Sequence, residues 1–349
     1  MSQPPKTFQS SIKDDVWHDQ TGDGAFECWT FDALSDDGRE AVSISFYDNY
    51  VLSPRYAKQA GMRVPAVTFV YSVDGKSVYH KTVEYPAHSF RAERETAELS
   101  IGRNRFRVDK ADYGSGYMLN LELPSRGGRT IEVSMEWLSI EADMLERNQT
   151  GGSSWNIVAP RSDVSGRITL IGRRGQAKKT CQFRGTGTHD HFGSRQHISE
   201  SFATRQWGHA HFVDATAIFL RQTIAVGEQF EKLYVVTNGR IDEYDAVFDE
   251  THAALGRYGA RYPRNVTVKT DCGIGLTVKP VNAIESGFCN VKLVSEMTLV
   301  LPGHKTHTTN GIAEFFSTAR MQSGLFRFLN GLGIKRDQTV DQPSLTAVP

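Results

Sequence analysis

The sequence contains no apolar run approaching the roughly 20 residues of a membrane-crossing helix, so no such span is expected. It has no surplus of either charge: Lys plus Arg and Asp plus Glu are 40 each among 349 residues. Nothing basic is concentrated for nucleic acid or anionic lipid, and neither partner is expected. Cysteine is scarce. The four, Cys28, Cys181, Cys272 and Cys289, lie far apart and form no Cys-x-x-Cys, which excludes a zinc knuckle and a dense disulfide framework. Free thiols in a reducing compartment follow. With no apolar signal region in Met1–Lys6, a cytoplasmic protein is expected. No tandem repeat of about 20–50 residues is present, which argues against a propeller or solenoid. Helical periodicity is nearly absent; the exception is 319–332, where Met321, Leu325, Phe328, Leu329 and Leu332 can form one apolar stripe.

What the chain has instead is a period of two. Ile131-Glu132-Val133-Ser134-Met135-Glu136-Trp137 alternates apolar and polar, the pattern of a half-buried strand. Asp74-Gly75 and Asn238-Gly239 each sit between such runs and read as tight hairpin turns. Further strands are expected at 167–172, 215–226, 265–270, 275–279 and 291–301. A polar, glycine-rich break at Asn148–Ser154 separates two strand-rich halves and reads as a linker or long loop. The expected fold is all-β: two antiparallel barrels, 1–150 and 151–349, with a short C-terminal helix.

The chemistry-bearing residues crowd into one stretch. Five of eleven histidines fall within 23 residues, four of them in Thr188-His189-Asp190-His191-Phe192-Gly193 and Trp207-Gly208-His209-Ala210-His211, with Asp214 just beyond. Each piece is a His-x-His, whose two imidazoles share a strand face. Two adjacent strands carrying such pairs can bring four imidazoles together. An acid among them, Asp190 for example, gains a raised pKa in an apolar cavity and can protonate an alkene or carbonyl. The competing explanation is a buried hydrogen-bond network that pins strands together. Asp214 falls on the face of Phe212, opposite His209 and His211, and an exposed strand-end role competes with an acid role. Glu314, beside Phe315-Phe316, is a further acid if its surroundings are apolar, with a salt bridge as the alternative. Trp29, Trp137, Trp155 and Trp207 can line a pocket for a flat hydrophobic ligand or simply pack a core. Paired His-x-His also suits zinc or iron, but no Glu or His completes a metal signature, so no metal is expected.

Several phrases resemble one family. Glu27-Cys28-Trp29-Thr30-Phe31-Asp32-Ala33 is similar to its early Glu-x-Trp-Tyr strand. Trp155–Pro160 and Val164–Ile168 are similar to its entry to the second barrel, and Trp207-Gly208 and Gly311-Ile312-Ala313-Glu314 match later phrases. Gly185–Gly193 resembles its Gly-x-Gly-Tyr-His-Asp-His-x-Trp-Gly signature, with Thr188 in place of Tyr and Phe192-Gly193 where Asn-Trp-Gly is usual. The family is that of the carotenoid 1,2-hydratases, or hydroxyneurosporene synthases, with fungal Diels–Alderases among its relatives. The resemblance spans about Phe26 to Glu314. It implies two lipocalin-like barrels, no cofactor and a hydrophobic small-molecule substrate. It also implies site roles for His191, for Phe192 near a missing Trp, and for Phe212-x-Asp214.

The expected function is therefore a cofactor-independent hydratase, cyclase or isomerase acting on a polyene, terpenoid or polyketide-type molecule. Asp190, His191, Asp214 and Glu314 are the candidate catalytic residues. His189, Phe192, Trp207, His209, His211, Phe212 and Trp29 are the candidate substrate contacts. A lipocalin-like carrier and a metal-dependent β-barrel enzyme are the alternatives.

Overall fold

Alternation sets the architecture strand by strand. In Thr130–Ser139, Ile131, Val133, Met135 and Trp137 are buried while Glu132, Glu136 and Leu138 face out. The same rule runs through the computed structural model, which describes residues 7–9, 15–56, 63–111, 114–139, 153–224, 227–321 and 323–336. Asp74-Gly75 and Asn238-Gly239 both have positive φ (49° and 71°, 51° and 75°), as a two-residue hairpin turn of matching twist requires. They join Ala66–Val73 to Lys76–Glu84 and Gln229–Thr237 to Arg240–Asp245.

Two curled, almost wholly antiparallel sheets form two lipocalin-like barrels. In the first, of 13 strands, Phe26–Ser35 lies between Glu40–Tyr47 and Ala177–Ser194. Ala177–Ser194 pairs in turn with Ser153–Ile171, which pairs with Thr130–Ser139. The second sheet has nine strands, with Thr204–His211 between Thr216–Thr223 and His307–Ser317. Each barrel has its own apolar interior: Phe31, Phe69, Phe106, Tyr117 and Trp137 in the first, Phe219, Leu276, Val278 and Met297 in the second. A third cluster, with Phe26, Trp155, Phe192, Trp207, Leu220 and Tyr234, joins the outer face of one sheet to the other.

Composition places a division at 150, yet Ser153–Ile171 and Ala177–Ser194 hydrogen-bond into the first sheet. The change of sheet falls between Ser194 and Thr204. Most of the glycine-rich break, 148–152, lies outside the described residues, and Ser153 and Ser154 already belong to a strand. The polar tail beyond 336 also lies outside them.

A C-terminal helix is present at Gly324–Gly333, capped by the Ser323 hydroxyl, which accepts from the Phe326 N–H at 3.3 Å. Its expected apolar stripe does not face the core. Leu325, Phe328 and Leu332 are exposed, Phe326 is the buried side chain, and Met321 precedes the helix. Among the described residues no helix is long and apolar enough to cross a membrane.

Candidate active site

The His-Asp-His segment lies on Ala177–Ser194, and strand alternation splits it between two compartments. His189 and His191 point into the first barrel. Thr188, Asp190 and Phe192 point the other way, toward the second sheet. Register sets the inner contacts: His189 is opposite Phe31 and His191 opposite Trp29. The imidazole of His189 stacks on Phe31 at 3.8 Å and 3°, and that of His191 stacks on Trp29 at 4.4 Å and 27°.

These imidazoles are held by carboxylates that the sequence did not single out. His189 Nε2 lies 2.8 Å from Asp15 Oδ2, which also accepts the Tyr117 hydroxyl at 2.7 Å. His189 Nδ1 lies 2.8 Å from the Thr30 carbonyl. His191 Nε2 lies 3.1 Å from Glu27 Oε2, and its Nδ1 approaches Asp15 Oδ1 at 3.0 Å without hydrogen-bond geometry. Glu27 also accepts the backbone N–H groups of His18 and Gln20 and contacts His18 Nδ1 at 3.0 Å. Burial opposes charge on Asp15, Glu27 and His191, but the ion pairs outweigh it. Asp15 is held well below the usual carboxylate range. Glu27 is lowered to about 2 by His18 and His191, and His191 is raised to about 9 by Asp15 and Glu27. The ligand atoms of His18, Glu27 and His191 lie within 4.8 Å of one another, close enough for a metal ion. Two of the three pairs are already at hydrogen-bond distance through Glu27 Oε2, which ties both imidazoles into an ion-pair network.

The outer face of the same strand opens on a cleft between the barrels. Asp190 sits there and accepts the Trp155 indole N–H at 2.6 Å. Burial pushes its carboxyl up to about 6, against the opposing pull of Arg205 and of the Trp155 hydrogen bond. Arg205 lies over the rings of Phe192 (4.7 Å), Trp155 (4.9 Å) and Trp207 (5.7 Å). From the same sheet as Arg205, Lys292 Nζ lies 2.8 and 2.9 Å from the Asp32 oxygens of the first sheet, 3.0 Å from Ser43 Oγ and 3.4 Å from Glu314. The two buried carboxylate contacts keep Lys292 charged despite its burial. Phe26, Tyr47, Phe202 and Phe316 supply the apolar lining.

Of the candidate residues, Asp190, Glu314, Phe192 and Trp207 meet in this cleft. His189, His191 and Trp29 are buried in the first barrel. His209 and His211 face the first sheet without lining the cleft. His211 bridges Thr188 and Thr216 at 3.3 and 3.1 Å, and His209 is buried with neither ring nitrogen hydrogen-bonded. Burial, then Lys292, lowers His209 to about 3, so it is neutral. Phe212 packs in the second barrel and Asp214 is exposed on a turn. The four imidazoles do not converge, because the two pairs belong to different sheets and the first pair lies on the inner face of its barrel. Glu314 does not sit in apolar surroundings either; it lies against Lys292 and Asn290. Sequence reading missed Arg205, Lys292, Asp32, Asp15, Glu27 and His18. For Arg205 a signal was present, since it alternates in phase with Trp207 and His209 on one strand face.

No family model matches the sequence. The chain is 22% identical to a hydroxyneurosporene dehydrogenase of Chlorobaculum tepidum, over 92% of this chain and 90% of that protein. The resemblance holds. It is to the carotenoid-related, double lipocalin-like family that the His-Asp-His signature suggested. Among solved structures, a Nitrosomonas europaea protein given the name AttH superposes with TM-score 0.61 at 16% identity, over 90% of this chain and 98% of that one. CghA, solved with the ligand Sch210972, superposes with TM-score 0.59 at 12% identity, over 90% of this chain and 94% of that one. Ligand-free CghA gives TM-score 0.60 at 13% identity. These likenesses show the fold.

Proposed function

We propose that the protein is a cofactor-independent enzyme of secondary metabolism that cyclises, hydrates or isomerises a hydrophobic polyene, terpenoid or polyketide-type molecule in the cleft between its barrels. Asp190 is the acid. The observation that carries this reading is its position: a buried carboxyl in an aromatic-lined cleft, pushed up to about 6 and fixed by an indole N–H. Such a group keeps a minor neutral-acid fraction near neutral pH and sits beside an apolar substrate, which suits proton donation. Phe26, Phe202 and Phe316 line the cleft and offer aromatic surface to a cationic centre formed by that proton. Glu314, which lies 3.4 Å from Lys292, is not assigned the acid role. The hydroxyneurosporene relative and the ligand-bearing CghA support a hydrophobic substrate.

A carrier would hold its ligand inside a barrel. The first barrel is filled by Phe31, Phe106, Tyr117, Trp137 and the two histidines, which favours the cleft. A second, more open pocket lies beside Val247–Leu255 and Arg261–Lys269, and it is where a carried ligand would sit. We infer that the two domains divide where the sheets do, between Ser194 and Thr204. Native mass spectrometry of freshly purified protein identifies a bound molecule, and turnover of that molecule tests the acid. Asp190→Asn is expected to lose about 10²–10⁴-fold in rate, whereas Asp214→Asn at its exposed turn keeps the wild-type rate. Undiminished turnover by Asp190→Asn would refute the assignment.

A further inference from the structure

The cleft contains a side chain whose hydrogen-bonding needs the protein does not meet. Arg205 is only 8% exposed, yet its Nε and Nη2 have no hydrogen-bond partner. Ring faces of Trp155, Phe192 and Trp207 cover the guanidinium, which accommodates its flat surfaces but not its in-plane donors. The carboxylates nearby are committed to other donors: Asp190 to the Trp155 indole, Glu314 to Lys292 and Asn290. A buried donor without an acceptor is costly, and one on a permanent cation more so. A planar fork of such donors matches two oxygens of one anionic group. Arg205 lines the cleft, so a ligand there can supply them.

We propose that Arg205 is the anchoring subsite for an anionic oxygen group on the substrate, a carboxylate in the simplest case. This rests on the cleft being the substrate site. The group docks on Nε and Nη2, and the hydrophobic remainder lies along Phe26, Phe202 and Phe316, within reach of Asp190. The substrate is then an amphipathic molecule with an anionic head. An unsubstituted hydrocarbon polyene would bury the guanidinium with its donors still unmet.

The test is fluorescence titration of the full chain with two probes, cis-parinarate, a polyene carboxylate, and 1,6-diphenylhexatriene, a polyene hydrocarbon. Arg205→Met is expected to weaken parinarate binding by about 10-fold or more, equivalent to about 1.4 kcal/mol, and to leave diphenylhexatriene within about 2-fold. Parinarate methyl ester on the wild-type protein applies the same test without altering the fold, and it should bind about 10-fold more weakly than the acid. Arg205→Lys keeps the charge but loses the fork, and is expected to fall between wild type and Arg205→Met. Equal affinity for acid and ester, with parinarate unaffected by Arg205→Met, would overturn the anchor and leave the cleft reading standing. If neither probe binds the wild-type protein, or both bind a Cys28→Trp variant that fills the cleft as tightly as wild type, the cleft reading itself fails.

Discussion

Asp190 and His191 are adjacent in the chain and opposite in chemistry. One faces aromatic rings and is pushed toward its neutral acid; the other lies between two carboxylates and is pushed toward its cation. The consequences for stability have definite signs. His191 rises from its ordinary 6.5 to about 9, so its contribution is complete below 6.5 and is lost as pH rises through about 9. Glu27 falls from 4.5 to about 2, so its contribution is present above 4.5 and is lost as pH falls toward about 2. Chemical denaturation across pH should therefore show this network at full strength between about 4.5 and 6.5. A profile that stays flat through about pH 9 would contradict it. Removing the imidazole by His191→Ala leaves Asp15 and Glu27 short of a buried partner and is expected to cost about 3–5 kcal/mol, measured by denaturant midpoint. A loss under about 1 kcal/mol would show the network to be slack. None of these partners was read as a site residue beforehand: Glu27 meets His191 across the pairing of two strands distant in sequence, and Asp15 and His18 come from outside those strands.

At the level of elements, alternation is plain in the sequence but its inside and outside are not. In Ala177–Ser194 exposure alternates only over 182–187, while 187–194 is buried on both faces. That happens because the barrel interior covers one face and the second sheet covers the other. A sequence that alternates His, Asp, His therefore announces two environments without saying which one holds a ligand. The C-terminal helix has the same ambiguity. Its period of 3.6 is real, yet the broader apolar stripe lies in solvent and Phe326 anchors it, 6.2 Å from Phe288 between ring centroids. Replacing Leu325 or Phe328 with Gln should change stability by less than about 0.5 kcal/mol, as for other exposed positions. Phe326→Ala should cost about 3 kcal/mol in a thermal melt. The reverse order of effects would place the stripe in an interface instead.

For the whole molecule, two all-β barrels and a C-terminal helix were readable from period and turn chemistry, because those signals are local. The cleft was not, since it assembles Phe26, Asp190, Arg205, Lys292 and Phe316 from strands distant in sequence. Lys292 and Asp32, which tie its two walls together, are 260 residues apart. The central claim is that the cleft does acid chemistry through Asp190. It is tested most directly by the pH–rate profile of wild type and Asp190→Asn on the molecule found bound to the wild-type protein. The wild-type rate should fall as pH rises through about 6, and the variant should be slower by about 10²–10⁴-fold with that dependence gone. Equal rates and the same profile in both proteins would contradict it.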